Sequence, residues 1–218
     1  MPNGELENMI GKWFRRSVLG AALGLGALGS EGVLDSAGIV GVASRAYAES
    51  ASISSSPAVD LIKSGEEKHS QGKLEEALKY FDQAIKVDSN NWIAYHDKGT
   101  TLSDMSMYKD SIRFLELAVK LSKGREVLPF VNLSRAYAGI QNWERSYEMA
   151  TEAIKLDPNR GTSYSNRGTA LLEIGRRKNT NEKIKYFEQA KSDYELALRL
   201  NPNLKSAKEG LEILRQSF

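Results

Sequence analysis

Ala84-Ile85-Lys86-Val87, Ala118-Val119-Lys120-Leu121, Ala153-Ile154-Lys155-Leu156 and Ala197-Leu198-Arg199-Leu200 are four variants of one string: alanine, aliphatic, cation, aliphatic. Their starts lie 34, 35 and 44 residues apart. Each string runs into residues that stop a helix. Asp157-Pro158-Asn159 and Asn201-Pro202-Asn203 bring a proline that cannot continue one, and Asp88-Ser89-Asn90 and Ser122-Lys123-Gly124 bring turn formers. A period near 34 residues is the length of one helix–turn–helix unit that stacks on its own copies.

Working backward from each string, the same pattern recurs in four registers. A large apolar position on a first helix holds Leu61, Tyr95, Phe130 and Tyr164, followed four residues later by a small one at Gly65, Gly99, Ser134 and Gly168. On the second helix a bulky residue stands at Leu74, Tyr108, Trp143 and Phe187, then a small one at Ala77, Ser111, Ser146 and Ala190. Phe81, Leu115, Ala150 and Tyr194 complete the register before the alanines of the four strings. Small residues at two facing positions let the paired helices approach closely. Trp92, Trp143 and the other aromatics at helical spacing read as core or near-core.

This register resembles the tetratricopeptide repeat over about residues 58 to 204. The resemblance implies an all-α fold, a right-handed α-solenoid of four helix–turn–helix units at 58–91, 92–126, 127–160 and 161–204. Repeat one carries Ser64 and Lys68 where apolar residues are usual, as an end repeat with one wet face would. Repeat four holds about ten additional polar residues around Gly175–Lys185, read as a surface loop or an extended helix end, with a basic docking role as a lesser alternative. Leu204, Ala207, Leu211, Leu214 and Phe218 form one apolar stripe, so residues 205–218 read as a capping helix, the ninth.

The first 57 residues follow another logic. Lys12, Arg15 and Arg16 precede fourteen uncharged residues, Ser17 to Ser30, and Ala46-Tyr47-Ala48 supplies a small-x-small site before Glu49. Arg15-Arg16-Ser17-Val18-Leu19 resembles the twin-arginine export motif, which makes residues 1–48 an export signal and the Ser-rich stretch 49–57 a linker. Glu31, Asp35 and a second apolar stretch, Ala37–Ala43, leave the cleavage position open. An uncleaved membrane association and a soluble extension are the alternatives. Export of this type leads to a periplasm or a thylakoid lumen.

Composition narrows the chemistry. The 218 residues carry 30 Lys and Arg against 28 Asp and Glu, a net charge of +2 without a basic block, so a nucleic-acid surface is not expected. There is no cysteine, which removes disulfides, thiolate metal sites and cysteine nucleophiles. His69 and His96 fall on neighbouring first helices at heights about 10 Å apart, too far for one metal ion. No phosphate loop or nucleophile elbow occurs, so the chain reads as non-enzymatic, with no cofactor and no metal. Asp97 and Asp104 read as a solvated face.

In the resembled family, function resides on the concave surface, lined by first helices. Some members clamp the C-terminal carboxylate of chaperones with lysines, asparagines and an arginine. The matching positions here are Ile62, Glu66, Asp97, Leu128 and Asn132, or, one repeat on, His96, Thr100, Asn132, Thr162 and Asn166; they lack the cations. A ladder of asparagines holding an extended peptide is half present: Asn132 and Asn166 occupy it, while Lys63 and Asp97 replace it in repeats one and two. The expected groove is therefore His96, Asn132, Arg135 and Asn166, binding a peptide or protein partner in an assembly scaffold, with contact to a membrane only during export. The competing reading is a self-associating solenoid whose Leu204–Phe218 stripe packs on another copy.

Overall fold

The computed structural model describes residues 56–217. Among them lie nine α-helices: α1 (Pro57–Ser70), α2 (Leu74–Val87), α3 (Trp92–Asp104), α4 (Tyr108–Leu121), α5 (Val127–Gly139), α6 (Trp143–Leu156), α7 (Gly161–Arg176), α8 (Thr180–Leu200) and α9 (Lys205–Arg215). Their ends are set by local chemistry. Pro57 opens α1, where its missing N–H has no intrahelical partner to lose. The side chains of Asn91, Asn142 and Asn179 accept from the backbone N–H groups of Ile93, Arg145 and Glu182 and cap α3, α6 and α8. After α2, α6 and α8 the chain turns extended at Asp88, Asp157 and Asn201, and each of these side chains accepts the N–H two residues on.

Within repeats one to three the turn passes through one left-handed residue, Gly72, Ser106 or Gln141, at φ of 74, 62 and 58°. The following N–H groups, on Lys73, Met107 and Asn142, reach back to the carbonyls of Lys68, Leu102 and Tyr137, which closes the helix end and sends the chain back along itself.

Side-chain size is complementary across each pair. A β-carbon on Gly65 would stand 2.5 Å from Phe81, one on Gly99 2.7 Å from Leu115 and one on Gly168 3.0 Å from Tyr194. Repeat three has Ser134 and Ala150 at those two positions instead, and the Ser134 hydroxyl donates to the Ser146 carbonyl at 2.9 Å. A large residue on the second helix thus goes with glycine on the first, and alanine goes with serine.

Successive first helices α1, α3, α5, α7 and α9 touch one another, whereas no two of α2, α4, α6 and α8 do. The first helices consequently form the inner, concave layer of a right-handed solenoid and the second helices fan out behind them. α9 closes the C-terminal end: Ala207, Gly210 and Leu214 are buried, and Ala207 and Leu214 belong to the core cluster built on Tyr164, Phe187 and Tyr194.

The additional residues of repeat four are helix. α7 has 16 residues and α8 has 21, where α1 to α6 have 13 or 14, and only residues 177–179 separate the two. Of the two readings of Gly175–Lys185, the extended helix end is the one found. None of the described helices is long and apolar enough to cross a membrane. The export signal with Arg15 and Arg16, and the linker up to residue 55, lie outside the described residues.

Candidate peptide groove

The inner layer places the four expected groove residues on three neighbouring helices: His96 on α3, Asn132 and Arg135 on α5, and Asn166 on α7. His96 is buried. Its Nε2 lies 2.9 Å from Asn132 Nδ2, and its Nδ1 lies 2.8 Å from Asp97 Oδ1. The second amide hydrogen of Asn132 goes to Thr100 Oγ1 at 2.8 Å, because the Thr100 hydroxyl has already donated its own hydrogen to the His96 carbonyl. With the Asn132 amide nitrogen donating, His96 Nε2 accepts and its Nδ1 faces the Asp97 carboxylate. Both hydrogens of the Asn132 amide therefore fasten α5 to α3.

Asn166 acts similarly one repeat later: its Nδ2 donates to the Val131 carbonyl of α5 at 3.2 Å. Ser165 and Ser206, 2.7 Å apart, tie α7 to α9. The asparagines therefore join neighbouring repeats through their nitrogens. Their Oδ1 atoms make no hydrogen bond within the described residues and are not among its buried unpaired atoms. They remain available as acceptors at equivalent positions of adjacent helices.

Arg135 is half-exposed, and its Nη2 pairs with Asp104 Oδ1 at 3.1 Å. The other carboxylate oxygen of Asp104 meets His69 Nε2 at 2.9 Å. Asp104 is thus a bridge between α1 and α5 rather than a merely solvated carboxylate, and sequence spacing along α3 carried no sign of partners from two other repeats. Asp97 departs from the solvated-face reading too: it holds His96, and its Oδ2 is buried without a partner beside a cleft of about 90 Å³ lined by Glu66, His69 and Thr100. The two histidines are committed to different carboxylates.

One apolar side chain per repeat stands exposed near the start of the inner helices: Val59, Ile93 and Leu128, at 36, 39 and 41% of their surface. Repeat four has Thr162 there. The groove therefore combines an apolar row over repeats one to three, amide acceptors over repeats three and four, and a guanidinium between. Such a surface can hold the side chains and backbone N–H groups of a segment laid along it.

Comparison with known proteins agrees with the architecture. The tetratricopeptide-repeat family model matches residues 61–91 and 179–204. The Hsp70-Hsp90 organising protein of Plasmodium falciparum is 25% identical over 135 residues, covering 59% of this chain and 23% of that protein. The chain thus spans under a quarter of the first curated relatives it matches. Among solved structures, MamA superposes with a TM-score of 0.60 at 19% identity, covering 73% of this chain and 81% of MamA. PilF of Pseudomonas aeruginosa superposes with a TM-score of 0.63 at 21% identity, covering 74% of this chain and 68% of PilF. Likeness at that identity concerns the solenoid fold.

Proposed function

We propose that this chain is a non-enzymatic protein-interaction module, an assembly scaffold that holds a peptide segment of a partner in its concave groove after export to a periplasm or a thylakoid lumen. The observation that carries the groove reading is the pair of unengaged Oδ1 acceptors of Asn132 and Asn166, beside the exposed row Val59, Ile93 and Leu128. His96 positions Asn132, and Arg135 offers its remaining N–H groups to an acidic group on the ligand. The Plasmodium relative is named for organising Hsp70 and Hsp90. Here Ile62, Leu128 and Asn132 stand where the clamp has cations and Asp97 where it has an asparagine, and Asp97 and Asn132 are engaged with His96, so a chaperone carboxylate is not the ligand this groove favours. Of the Leu204–Phe218 stripe, Ala207 and Leu214 are buried against α7 and α8, Leu204 and Leu211 are half-buried, and Phe218 lies outside the described residues.

A photo-crosslinking side chain at Leu128 should capture a partner in cells that the same group at Arg113, 79% exposed on α4, does not. Equal capture at both sites, or capture at Arg113 alone, refutes the concave site. For export, Arg15→Lys with Arg16→Lys keeps the charge and removes the guanidinium pair; unprocessed precursor should accumulate. Normal processing would end the twin-arginine assignment.

A further inference from the structure

The fourth repeat differs from its neighbours in helix length, and the difference builds a second surface on the outer side. α8 is seven residues longer than α6, about 10 Å of additional wall. The backbones of α6 and α8 stay apart, and the gap between them is floored by α7. Two depressions, of about 560 and 280 Å³, fill this gap and share Tyr147, Leu171 and Gln189. Their α7 lining runs from Arg167 past Ile174, and Lys178 in the turn after α7 continues it, a span of about 16 Å or three helical turns.

Chemistry is sorted across the groove. Tyr147, Leu171, Ile174 and Tyr186 make it apolar along its middle. The α6 wall carries Glu144 and Glu148; the turn and the α8 wall carry Lys178 and Lys185, and in the smaller depression Asp193 of α8 is neutralised by its two bonds from Arg167 of α7. Neither lysine nor Glu144 has an ion pair among the described residues, and Glu148 is met only by the exposed Arg145. Glu182, on the basic side, accepts from the Asn179 side chain and so belongs to the cap of α8.

We propose that this outer groove docks an amphipathic helix of a partner protein, with an apolar stripe on the tyrosines and aliphatics, an acidic edge along Lys178 and Lys185 and a basic edge along Glu144 and Glu148. The floor of Leu171 and Ile174 is apolar and offers neither a backbone edge nor a row of amide acceptors like Asn132 and Asn166, so a segment seated on it must satisfy its own N–H and C=O groups, which a helix does and an extended chain does not. Opposite charges on opposite walls also disfavour a partner of one sign, such as a nucleic acid or an anionic lipid surface.

The test uses the full chain and three synthetic helical peptides of about 15 residues with one leucine stripe. The first carries Glu on one flank and Lys on the other, the second Lys on both and the third Glu on both. By fluorescence anisotropy the mixed peptide should bind about tenfold more tightly than either single-sign peptide, a difference of about 1.4 kcal/mol. Lys178→Glu with Lys185→Glu should abolish that preference, as should Glu144→Lys with Glu148→Lys. Reversing both walls together should restore it, because the peptide turned end for end meets the same pairs. Equal affinity for all three peptides overturns the proposal, as does indifference to the wall variants. Loss of binding in Arg135→Ala would move the site to the concave face. A full-length dimer dissociated by the wall variants in sedimentation would make the occupant a second copy, and this proposal would fall.

Discussion

Gly99→Ala should have opposite signs in two backgrounds. In the native chain the new β-carbon would lie 2.7 Å from Leu115 Cγ, 3.0 Å from its Cδ2 and 3.2 Å from its backbone nitrogen. Ordinary carbon contacts are about 3.5–4.0 Å, so either Leu115 or the separation of α3 and α4 must give by nearly an ångström. Overpacking of this kind costs about 1–3 kcal/mol. Alanine in a helix is worth about 1 kcal/mol over glycine, so the net effect of Gly99→Ala is a loss of about 0–2 kcal/mol. Leu115→Ala removes a fully buried side chain and should cost about 2–5 kcal/mol. With the Leu115 side chain gone the 2.7 and 3.0 Å clashes are gone and only the 3.2 Å approach to the backbone nitrogen remains, which a shift of a few tenths of an ångström relieves, so Gly99→Ala should now stabilise, by its helix preference and by filling part of the cavity. The double variant approaches the Ser134 and Ala150 pairing that repeat three already uses. The coupling energy equals the relieved clash, about 1–3 kcal/mol, read from urea unfolding of the four chains. Additive effects would refute the argument that glycine and bulk are matched across each pair.

Gln141→Gly should raise stability by about 0.5–1 kcal/mol, because glutamine is held at φ 58°, while Gly72→Ala should lower it; thermal melts compare the two. Asn132→Ala strips His96 Nε2 and Thr100 of their amide donor and should cost about 1–3 kcal/mol with unchanged helicity in circular dichroism, whereas Asn166→Ala, losing one bond of 3.2 Å, should cost less. Tyr137 and Tyr194 are both pushed up to about 12, chiefly by burial, and Tyr137 also by the Glu116 carboxylate that accepts its hydroxyl hydrogen. The unfolded chain loses these protons near pH 10, so it holds fewer than the native chain between about pH 10 and 12, and stability falls across that window. Urea midpoints across that pH range should drop less for Tyr194→Phe than for the parent, after allowing for the lost bond to Thr169.

The repeat itself was legible in the sequence because its cues are local or periodic. Helix stops at Pro158 and Pro202, glycine facing Phe81 or Leu115, and four copies of one string determine an all-α solenoid before any coordinate is known. They determine as well which face Asn132, Arg135 and Asn166 share, since spacing of three and four along a helix sets direction. Tertiary structure alone decided what those side chains do there. Asn132 gives both hydrogens to α3, and Asp104 answers His69 and Arg135 from two other repeats, pairings between residues more than thirty positions apart that no local pattern encodes. Likewise, polarity in Gly175–Lys185 fits a loop and a solvated helix equally. The choice came from the apolar support that Tyr186 and Phe187 find in the core cluster of repeat four and against Gly175 of α7, a matter of packing across the chain.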